Sequence, residues 1–332
     1  MGEPAIDVVG IGNAIVDIIA RCDDGFLSSR ELSKGHMALI DAAAAEALYG
    51  AMGPAVEISG GSAANTCAGV ASLGGKAGFI GRVAEDEFGR VFTHDIRSIG
   101  VAYATPPAND GAPTARSLIL VTGDGERTMN TFLGASVELG EAELDPVLIT
   151  GARITYLEGY LFDPPGAQAA FHEAARMAAE AGREVALSLS DAFCVGRHRA
   201  AFRALIQGGV ELLFANEEEI TMLYEVDSFD EAVAAVRAEC RTAALTRGAK
   251  GSVVVTSSGL VEIPVEPVDE VVDTTGAGDL YAAGFLYGHA RGLDSKTCGK
   301  LGSLAAAEII GHLGARPETP LAQLARQKGL IS

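Results

Sequence analysis

Short apolar runs alternate with longer amphipathic segments along the second half of the chain. Runs of four or five mostly apolar residues predict β-strands, and apolar positions that recur with helical spacing predict helices. The predicted strands are Ile154–Leu157, Val185–Leu189, Leu212–Ala215, Ala243–Thr246 and Val253–Thr256, with a further strand-like run at Val268–Val272. The predicted helices include His198–Ile206, Glu217–Tyr224, Phe229–Cys240, Asp279–Arg291 and Lys296–Ile310. Strands that alternate with helices of about 10–15 residues predict an α/β fold, with a doubly wound, mostly parallel sheet flanked by helices.

The first third of the chain has a different pattern. Ile6–Val9 is a predicted strand of the main sheet, and shorter strand-like pieces follow it. These pieces are Ile15–Ala20, Met37–Ile40, Ser117–Val121 and Thr128–Leu133. Because they fall in two segments separated by a helical block, we expect them to form one small sheet outside the main core. Residues 1–13, 60–100 and 136–332 are therefore assigned to a large α/β core, and residues 14–59 and 101–135 to a small lid domain.

The acidic charge balance narrows the range of partners. With 25 Lys and Arg against 44 Asp and Glu, the formal net charge is −19. We expect no nucleic-acid partner, because binding to a phosphate backbone needs clustered Lys and Arg. An anionic ligand must instead be held by local backbone donors and a metal ion, since the overall field of the protein repels it.

Cysteine usage and apolar run lengths indicate a cytoplasmic protein without a membrane partner. The five cysteines are odd in number, far apart and without a C-x-x-C pair, so we expect buried, reduced thiols. Apolar runs such as Leu118–Val121 are far shorter than the roughly 18 residues of a membrane-spanning helix. The Met1–Pro4 segment carries no basic residue, which favours a first strand over a signal peptide.

The strongest chemical signal lies at Asp273–Asp279, where a turn of small residues opens a helix. A helix N-terminus exposes unpaired N–H groups and the positive end of the dipole, and both stabilise an anion. Gly276 and Gly278 let the backbone approach a phosphate closely. Asp279, in the first turn, is placed to accept a proton from a substrate hydroxyl. For this motif alone, a plain helix cap is the alternative interpretation.

The glycine-rich turn Gly60–Asn65 is the second signal. Gly60 and Gly61 allow a small ligand to contact the backbone at a strand-to-helix turn. Ser62 either caps the helix that follows or faces a ligand. Asn65 lies one turn into that helix and offers a donor and an acceptor to sugar hydroxyls.

Several common enzyme motifs are incomplete or missing from the sequence. Gly10–Ile15 begins like a dinucleotide-binding fingerprint but lacks its third Gly or Ala, which disfavours a nicotinamide dehydrogenase. The sequence has no G-x-x-x-x-G-K-[ST], G-x-S-x-G or H-E-x-x-H motif. Its six His residues are scattered without the spacing of metal ligands.

In order and spacing, the two glycine-containing motifs resemble the two signatures of the ribokinase-type (PfkB) carbohydrate and nucleoside kinases. The resemblance extends over nearly the whole chain and implies a ribokinase-like, nucleotide-binding core with a β-sheet lid. It implies that the backbone of Gly276, Ala277 and Gly278 forms an anion hole. It also implies that Asp279 is the catalytic base.

The resemblance further assigns residues to the nucleotide and its metal. Asn216 and Glu219 match an N-x-x-E motif that organises Mg²⁺ and its waters. Without the resemblance, three consecutive Glu residues at a helix start only complement the helix dipole. Thr246 and Gly248 match a phosphate-contacting loop, and Thr274 belongs to the anion-hole motif. ATP and Mg²⁺ are the cofactors implied.

Two further positions bear on the substrate. Asn13 and Asp17 are four residues apart, and if both leave a strand end on one side their side chains can share the two hydroxyls of a ribose. In the family that the chain resembles, the Asp of this motif binds substrate hydroxyls, and the Asn resembles the adenosine kinase branch. Arg127 is similar to a lid arginine of nucleoside kinases that closes over the reaction centre. Without the resemblance, Arg127 is interpreted as an exposed turn residue.

These observations favour a monomeric or homodimeric kinase that transfers a phosphoryl group from ATP, in line, to the ribose 5′-hydroxyl of an adenosine-like nucleoside. A sugar kinase for ribose, fructose or a keto-deoxy sugar acid is the alternative within the family. A non-catalytic nucleoside- or sugar-binding protein would have no use for Asp279 or the N-x-x-E motif.

A base needs apolar faces, and the candidates are Met37, Phe132, Tyr160 and Phe162. A monovalent cation such as K⁺ near Asp273 stays an open possibility.

Overall fold

The computed structural model describes residues 4–332, so residues 1–3 of the predicted core lie outside the described residues. Within residues 4–332 the strands form a nine-stranded and a five-stranded sheet. The strands are β1 (Ile6–Ile11), β2 (Ile15–Arg21), β3 (Met37–Leu39), β4 (Ala55–Gly60), β5 (Ala77–Ile80), β6 (Ala102–Tyr103), β7 (Ala115–Val121), β8 (Arg127–Phe132), β9 (Ala152–Glu158), β10 (Glu184–Ser188), β11 (Leu212–Asn216), β12 (Thr242–Thr246), β13 (Ser252–Thr256) and β14 (Gly259–Ile263).

The larger sheet confirms the predicted doubly wound α/β fold. Its strand order is β14-β13-β12-β11-β10-β9-β1-β5-β6. Neighbours from β12 to β6 run parallel, and β12, β13 and β14 form antiparallel hairpins at one edge. The parallel strands are almost entirely buried because helices cover both faces of the sheet.

The helices of residues 4–332 include those that cover both faces of the larger sheet and Ala42–Tyr49, which packs against the smaller sheet. They are α1 (Asp24–Ser29), α2 (Ala42–Tyr49), α3 (Ser62–Ser72), α4 (Glu87–Ser98), α5 (Pro146–Gly151), α6 (Pro165–Glu180), α7 (Ala192–Gln207), α8 (Glu217–Tyr224), α9 (Phe229–Glu239), α10 (Ala277–Ala290), α11 (Ser295–Ile310) and α12 (Leu321–Gln327). The apolar faces of α3, α4, α10, α11 and α12 share one core cluster, and those of α5 to α9 share the other. No helix within residues 4–332 has the length and apolar character needed to cross a membrane.

Close packing of α3 against α10 positions the candidate site. A Cβ atom added to Gly69 of α3 would lie 2.6 Å from Ala283 Cβ and from Leu280 Cδ1, so only glycine allows this approach. The two helices therefore begin side by side at one edge of the sheet. Each begins after a glycine with positive φ, Gly61 at 98° and Gly276 at 78°, a backbone conformation that glycine adopts readily.

The smaller sheet has the order β3-β8-β7-β2-β4, as the two separated segments predicted. Along β2, Val16 and Ile18 are buried on one face, whereas Ile15, Asp17 and Ile19 are partly exposed on the other, which is the two-residue period of a strand. β6 lies inside the range 101–135 that was assigned to a lid, yet it pairs with β5 of the larger sheet. The division into core and lid domains stays a prediction.

The prediction of a strand at Val268–Val272 is wrong. This segment is irregular, and Val271 is 56% exposed. Pro264 and Pro267 come just before it and lack the N–H groups that a ladder needs. Val272 instead donates its N–H to the carbonyl of Ile310 at 2.8 Å, which ties the segment to the end of α11.

Candidate active site

The candidate site lies where the chain reverses its direction across the larger sheet. From β1 the chain proceeds to β5 and β6 on one side, and then returns to β9 and continues outward on the other. Ligands of doubly wound sheets bind outside the carboxyl ends of the strands at such a point. A cavity of about 680 Å³ opens there, within the range of about 300–1,000 Å³ typical of small-molecule sites.

Asn13 and Glu158, which follow β1 and end β9, meet at the reversal point. The Asn13 Nδ2 donates to Glu158 Oε1 at 2.6 Å, and the Asn13 backbone N–H donates to the same oxygen at 3.2 Å. The N–H of Ala63 donates to Glu158 Oε2 at 2.7 Å, and the Ser136 hydroxyl donates to Asn13 Oδ1 at 2.9 Å. Asn13 lines the cavity, and protein groups bond to both the nitrogen and the oxygen of its amide.

Glu158 is the main residue that sequence reasoning missed. It is buried, and burial raises its pKa to about 7 although the N–H of Ala63 and the side-chain and backbone N–H groups of Asn13 oppose the shift. A Cβ atom added to Gly12 would lie 2.3 Å from Glu158 Oε2, so the glycine makes room for this carboxyl. The sequence gives one signal only, a lone acidic residue at the end of an apolar strand.

Asp279 lies in the first turn of α10, and two residues of α3 hold its carboxylate. The Ser62 hydroxyl donates to Asp279 Oδ1 at 2.6 Å, and Asn65 Nδ2 donates to Oδ2 at 3.0 Å. Ser62 is thus not a helix cap: Gly61 occupies the N-cap position without a side-chain hydrogen bond, which leaves the Ser62 hydroxyl free to reach Asp279. The spacing in the sequence could not show that α3 and α10 begin side by side.

The protonation of Asp279 is set by opposing influences. Burial raises its pKa, while the hydrogen bonds from Ser62 and Asn65 and the positive charge of Arg316 oppose that rise. The net direction is upward, which makes the carboxylate a stronger base than an exposed aspartate. Asn65 Oδ1 is buried and unpartnered among residues 4–332, so the amide retains an acceptor that points to a ligand.

The N-terminus of α10 suits a phosphate. Within the described residues no side chain caps this helix. The N–H of Ala277 donates to the carbonyl of Thr274 at 3.2 Å, which leaves the N–H groups of Gly278 and Asp279 for an anion. An added Cβ would meet nothing within 4 Å at Gly278, whereas at Gly276 it would lie 2.8 Å from Ala315 Cβ. Gly276, Gly278 and Thr274 line the cavity, and Ala277 lies between the two glycines without lining it.

The predicted metal motif forms the start of α8. Asn216 and Glu219 make a capping box, in which Asn216 N donates to Glu219 Oε2 at 2.9 Å and Glu219 N donates to Asn216 Oδ1 at 2.8 Å. Burial, with Asp191 and Glu218 nearby, raises the pKa of Glu219 to about 7 despite the hydrogen bond from Asn216. A divalent cation beside this carboxyl would favour its ionised form.

Not every predicted nucleotide residue reaches the cavity. Asn216, Glu219 and Thr246 line it, whereas Gly248 lies outside it in a 3₁₀ turn at Gly248–Lys250. Among residues 4–332 there is no group of three His, Cys, Asp or Glu side chains arranged to hold a metal ion. That fits Mg²⁺, which is commonly held by one or two carboxylates together with the phosphates of a substrate.

Asp17 points into the cavity from the smaller sheet. A Cβ atom added to Gly60 would lie 2.3 Å from Asp17 Oδ2, so this glycine provides the space for the carboxyl. Burial raises the pKa of Asp17 to about 6, although the positive charges of Arg316 and Arg127 oppose the shift. Asn13 and Asp17 line the same cavity, and their binding of substrate hydroxyls stays a prediction.

Arg127 is not placed over the reaction centre. Its guanidinium forms a buried ion pair with Asp273, and Arg127 does not line the cavity. Asp273 also accepts the N–H groups of Thr275 and Gly314 at 3.0 and 3.1 Å. Burial alone would raise the pKa of Asp273, but these donors and Arg127 outweigh burial and lower it.

The apolar part of the cavity differs partly from the predicted set. Met37 and Tyr160 line it, but Phe162 is fully buried and stacks on Phe202 at 4.2 Å, and Phe132 packs in the core near Arg116. Both are core residues because their strand or turn directs them away from the cavity. The apolar lining residues that sequence reasoning missed include Leu39, Met129, Leu133 and Phe193.

Comparison with known proteins identifies the family. Residues 40–322 match the pfkB family of carbohydrate kinases. The chain belongs to this family. It is a kinase of the pfkB type, and kinases of this family generally use ATP and Mg²⁺.

Individual relatives of this kinase carry nucleoside and sugar names. The adenosine kinase of Sinorhizobium meliloti is 54% identical and has a TM-score of 0.89, with 97% of this chain and 99% of that chain covered. A probable sugar kinase of Rhizobium etli CFN 42 is 51% identical with a TM-score of 0.91, covering 99% and 100%. The adenosine kinase of Saccharomyces cerevisiae is 26% identical over 344 residues, covering 97% of this chain and 99% of the relative.

Proposed function

We propose that this kinase phosphorylates the ribose 5′-hydroxyl of an adenosine-like nucleoside, with ATP as donor and Asp279 as the base. The observation that carries the proposal is the position of Asp279. Its carboxylate lies between Ser62 and Asn65, in the first turn of a helix whose N-terminus is open to an anion. A base and an anion site so close together fit phosphoryl transfer to a hydroxyl.

In the proposed reaction, the carboxylate of Asp279 accepts the proton of the attacking hydroxyl. Its raised pKa favours that transfer, and the hydrogen bonds from Ser62 and Asn65 fix the carboxylate in one orientation. The N–H of Gly278, in the first turn of α10, stabilises the negative charge that develops on the transferred group. When bound, Mg-ATP supplies the phosphoryl group, and its metal neutralises the phosphates.

The nucleotide and its metal are assigned to the end of the cavity that is lined by Asn216, Glu219 and Thr246. Asn216 and Glu219 would hold Mg²⁺ and its waters, because their carboxylate and amide oxygens are the ligand type that Mg²⁺ prefers. Thr246 and Thr274 would contact the phosphates from the two sides of the cavity. Gly248, which follows Thr246, is proposed only as part of the turn that shapes this end.

The nucleoside is assigned to the end under the smaller sheet. Asp17 and the unpartnered Oδ1 of Asn65 offer acceptors to ribose hydroxyls. Met37, Tyr160 and Phe193 are 58%, 48% and 77% exposed, so large apolar surfaces border the cavity without being covered. A free sugar would leave them in water, whereas a base can pack on them. The smaller sheet is proposed to act as a lid on this end.

Steady-state kinetics on adenosine, guanosine, inosine, ribose and fructose tests the proposal. We expect the highest kcat/KM for adenosine. A higher kcat/KM for any free sugar than for every nucleoside would contradict it and favour a sugar kinase. That second function is kept because the Rhizobium etli structure, 51% identical, carries the name of a probable sugar kinase.

A further inference from the structure

Three consecutive residues after α11 contact both halves of the candidate site. Gly314 donates its N–H to Asp273 Oδ2 at 3.1 Å, and Ala315 packs against Gly276, where an added Cβ would lie 2.8 Å from it. Arg316 turns the other way, to the glycine-rich turn that follows β4. This segment thus joins the anion-binding turn to the substrate-binding turn.

Arg316 makes the second of these connections with its guanidinium. Nη1 donates to the carbonyl of Ala64 at 3.0 Å. Nη2 donates to the carbonyl of Ser59 and, at 2.9 Å, to the Ser59 hydroxyl. The Ser59 N–H and hydroxyl in turn donate to Asp95 Oδ2 at 2.8 and 2.5 Å. Arg316 therefore forms hydrogen bonds with the backbone on both sides of Gly60–Ala63.

Ser62 lies within Ser59–Ala64 and Asn65 comes directly after it, and these are the two residues that bond to the Asp279 carboxylate. A shift of about 1 Å in such a stretch can cost a reaction about 100-fold in rate. We propose that Arg316 is a positioning residue for the phosphoryl transfer, holding the Ser59–Ala64 turn so that Ser62 and Asn65 orient Asp279. The inference rests on the proposed function, in which Asp279 is the base.

Charge supports this assignment. Burial lowers the pKa of Arg316, and the carboxylates of Asp17, Asp95 and Asp279 oppose that change. In return, the positive charge of Arg316 opposes the raised pKa of both Asp17 and Asp279.

The other charged or titratable groups near Asp17 and Asp279 contribute as well. Arg127 also opposes the rise at Asp17, while the negative charge of Asp279 adds to it. Glu158, Tyr156 and Tyr160 face Asp279, whose charge raises the pKa of each of them. Arg316 is the cation common to both Asp17 and Asp279.

A buried arginine is a costly way to join two turns. Its Nε–H is buried without a partner among residues 4–332, which is unfavourable in a purely structural contact. Lysine is a poor substitute because it lacks the planar fork that reaches two carbonyl groups at once.

The test compares Arg316→Met and Arg316→Lys in the full chain with a matched control, Arg203→Met. Arg203 pairs with Glu239 on the far side of the larger sheet and does not line the cavity. For each variant we would measure kcat and KM for adenosine and ATP, the pH profile of kcat/KM, the thermal midpoint and the response to millimolar guanidinium chloride.

For Arg316→Met we expect kcat to fall about 10- to 100-fold, with the acid limb of the profile at higher pH. Removing the cation raises the carboxylate pKa values, so fewer sites are ionised at a given pH. Guanidinium should restore part of the activity. In Arg316→Lys, the acid limb of the pH profile should stay at its wild-type position, whereas kcat should fall. Arg203→Met should change neither.

Wild-type kcat in Arg316→Lys would overturn the proposal, because the fork would then be unnecessary. So would an Arg316→Met enzyme whose acid limb is unmoved and whose loss of activity only follows its thermal midpoint. If Arg316→Met does not fold, the Lys variant decides alone. A different result would contradict the proposed function itself: an Asp279→Asn variant that keeps wild-type turnover.

Discussion

Arg127 of the smaller sheet and Asp273 of the anion-binding motif form an ion pair in which both side chains are less than a tenth exposed. Because the pair joins β8 to the turn that precedes α10, it fixes the smaller sheet relative to the residues that would bind phosphate. Breaking a buried pair by removing one partner is strongly destabilising, since it leaves an uncompensated charge.

The ion pair gives a first prediction, tested by a double-mutant cycle. Arg127→Met and Asp273→Asn should each destabilise the protein by about 3–5 kcal/mol. The double variant should lose less than the sum, since neither charge is then left alone. Chemical denaturation measures all four free energies of unfolding. Additive losses would show that the two side chains do not depend on one another.

The second prediction concerns the base. Asp279→Asn preserves shape, and Asn65 can turn its unpartnered Oδ1 toward the new amide, but the proton acceptor is lost. We expect kcat to fall about 10²- to 10⁴-fold with nucleotide affinity nearly unchanged. Single-turnover kinetics and nucleotide titration measure the two effects. Asp294→Asn at the N-cap of α11 is the matched control and should retain activity, because Asn also caps helices.

The third prediction concerns the metal. If Asn216 and Glu219 organise Mg²⁺ and its waters, Glu219→Gln should raise the Mg²⁺ concentration needed for half-maximal activity. Glu218→Gln is the matched control, since Glu218 lies in the same turn but is exposed. If the Mg²⁺ titration gives the same midpoint for both variants and the wild type, Glu219 has no role at the metal and the three Glu residues only complement the dipole of α8.

The fourth prediction separates base from sugar. Phe193→Ala removes a ring that is 77% exposed at the cavity. By analogy with base–aromatic contacts, stacking is worth about 1–3 kcal/mol, which corresponds to roughly 5- to 150-fold in affinity. KM for adenosine should rise within that range, while kcat/KM for ribose should not change. Equal losses on both substrates would place the ring outside the base subsite.

The fifth prediction follows from the buried carboxyl groups. The folded-state pKa is raised to about 6 at Asp17 and about 7 at Glu158 and Glu219. Between the unfolded value, about 4, and these values the folded state binds more protons, so stability falls as pH rises. The ligand-free protein should therefore have a higher thermal midpoint at pH 5.5 than at pH 8.

The net charge of −19 acts in the same direction, so a variant is needed to isolate the carboxyl groups. Glu158→Gln should be less stable at both pH values but show a smaller difference between them. An unchanged difference would mean that Glu158 does not titrate in this range.

Local sequence patterns predicted much of the fold and part of the site. The strands of the larger sheet follow from short apolar runs, because strands buried on both faces need such runs. Asn13, Asp17, Asn65 and Asp279 lie around one cavity, because glycine-rich turns and helix starts are local features that the sequence records.

What the sequence could not predict depends on contacts between distant segments. For Ser62 a helix cap and a ligand contact were the two interpretations, because nothing local shows that Asp279 lies 2.6 Å from its hydroxyl. Arg316 was missed altogether, and Glu158 stands out only as a lone acidic residue at a strand end, because the partners of each lie more than 90 positions away along the chain. Phe162 was misplaced because an aromatic residue in a turn looks the same in sequence whether it faces a cavity or a core.

The wide separation of the site residues has a consequence for biosynthesis. Asn13 and Arg316 belong to one site, although 302 positions lie between them. On the ribosome, the strands from β1 to β12 can pack together before Asp279 and Arg316 have been synthesised. At that stage the nascent chain has part of the cavity but lacks these two residues. Affinity for substrate should therefore arise late in translation, and a polypeptide that stops before residue 316 should hold much of the fold yet be unable to retain a nucleoside.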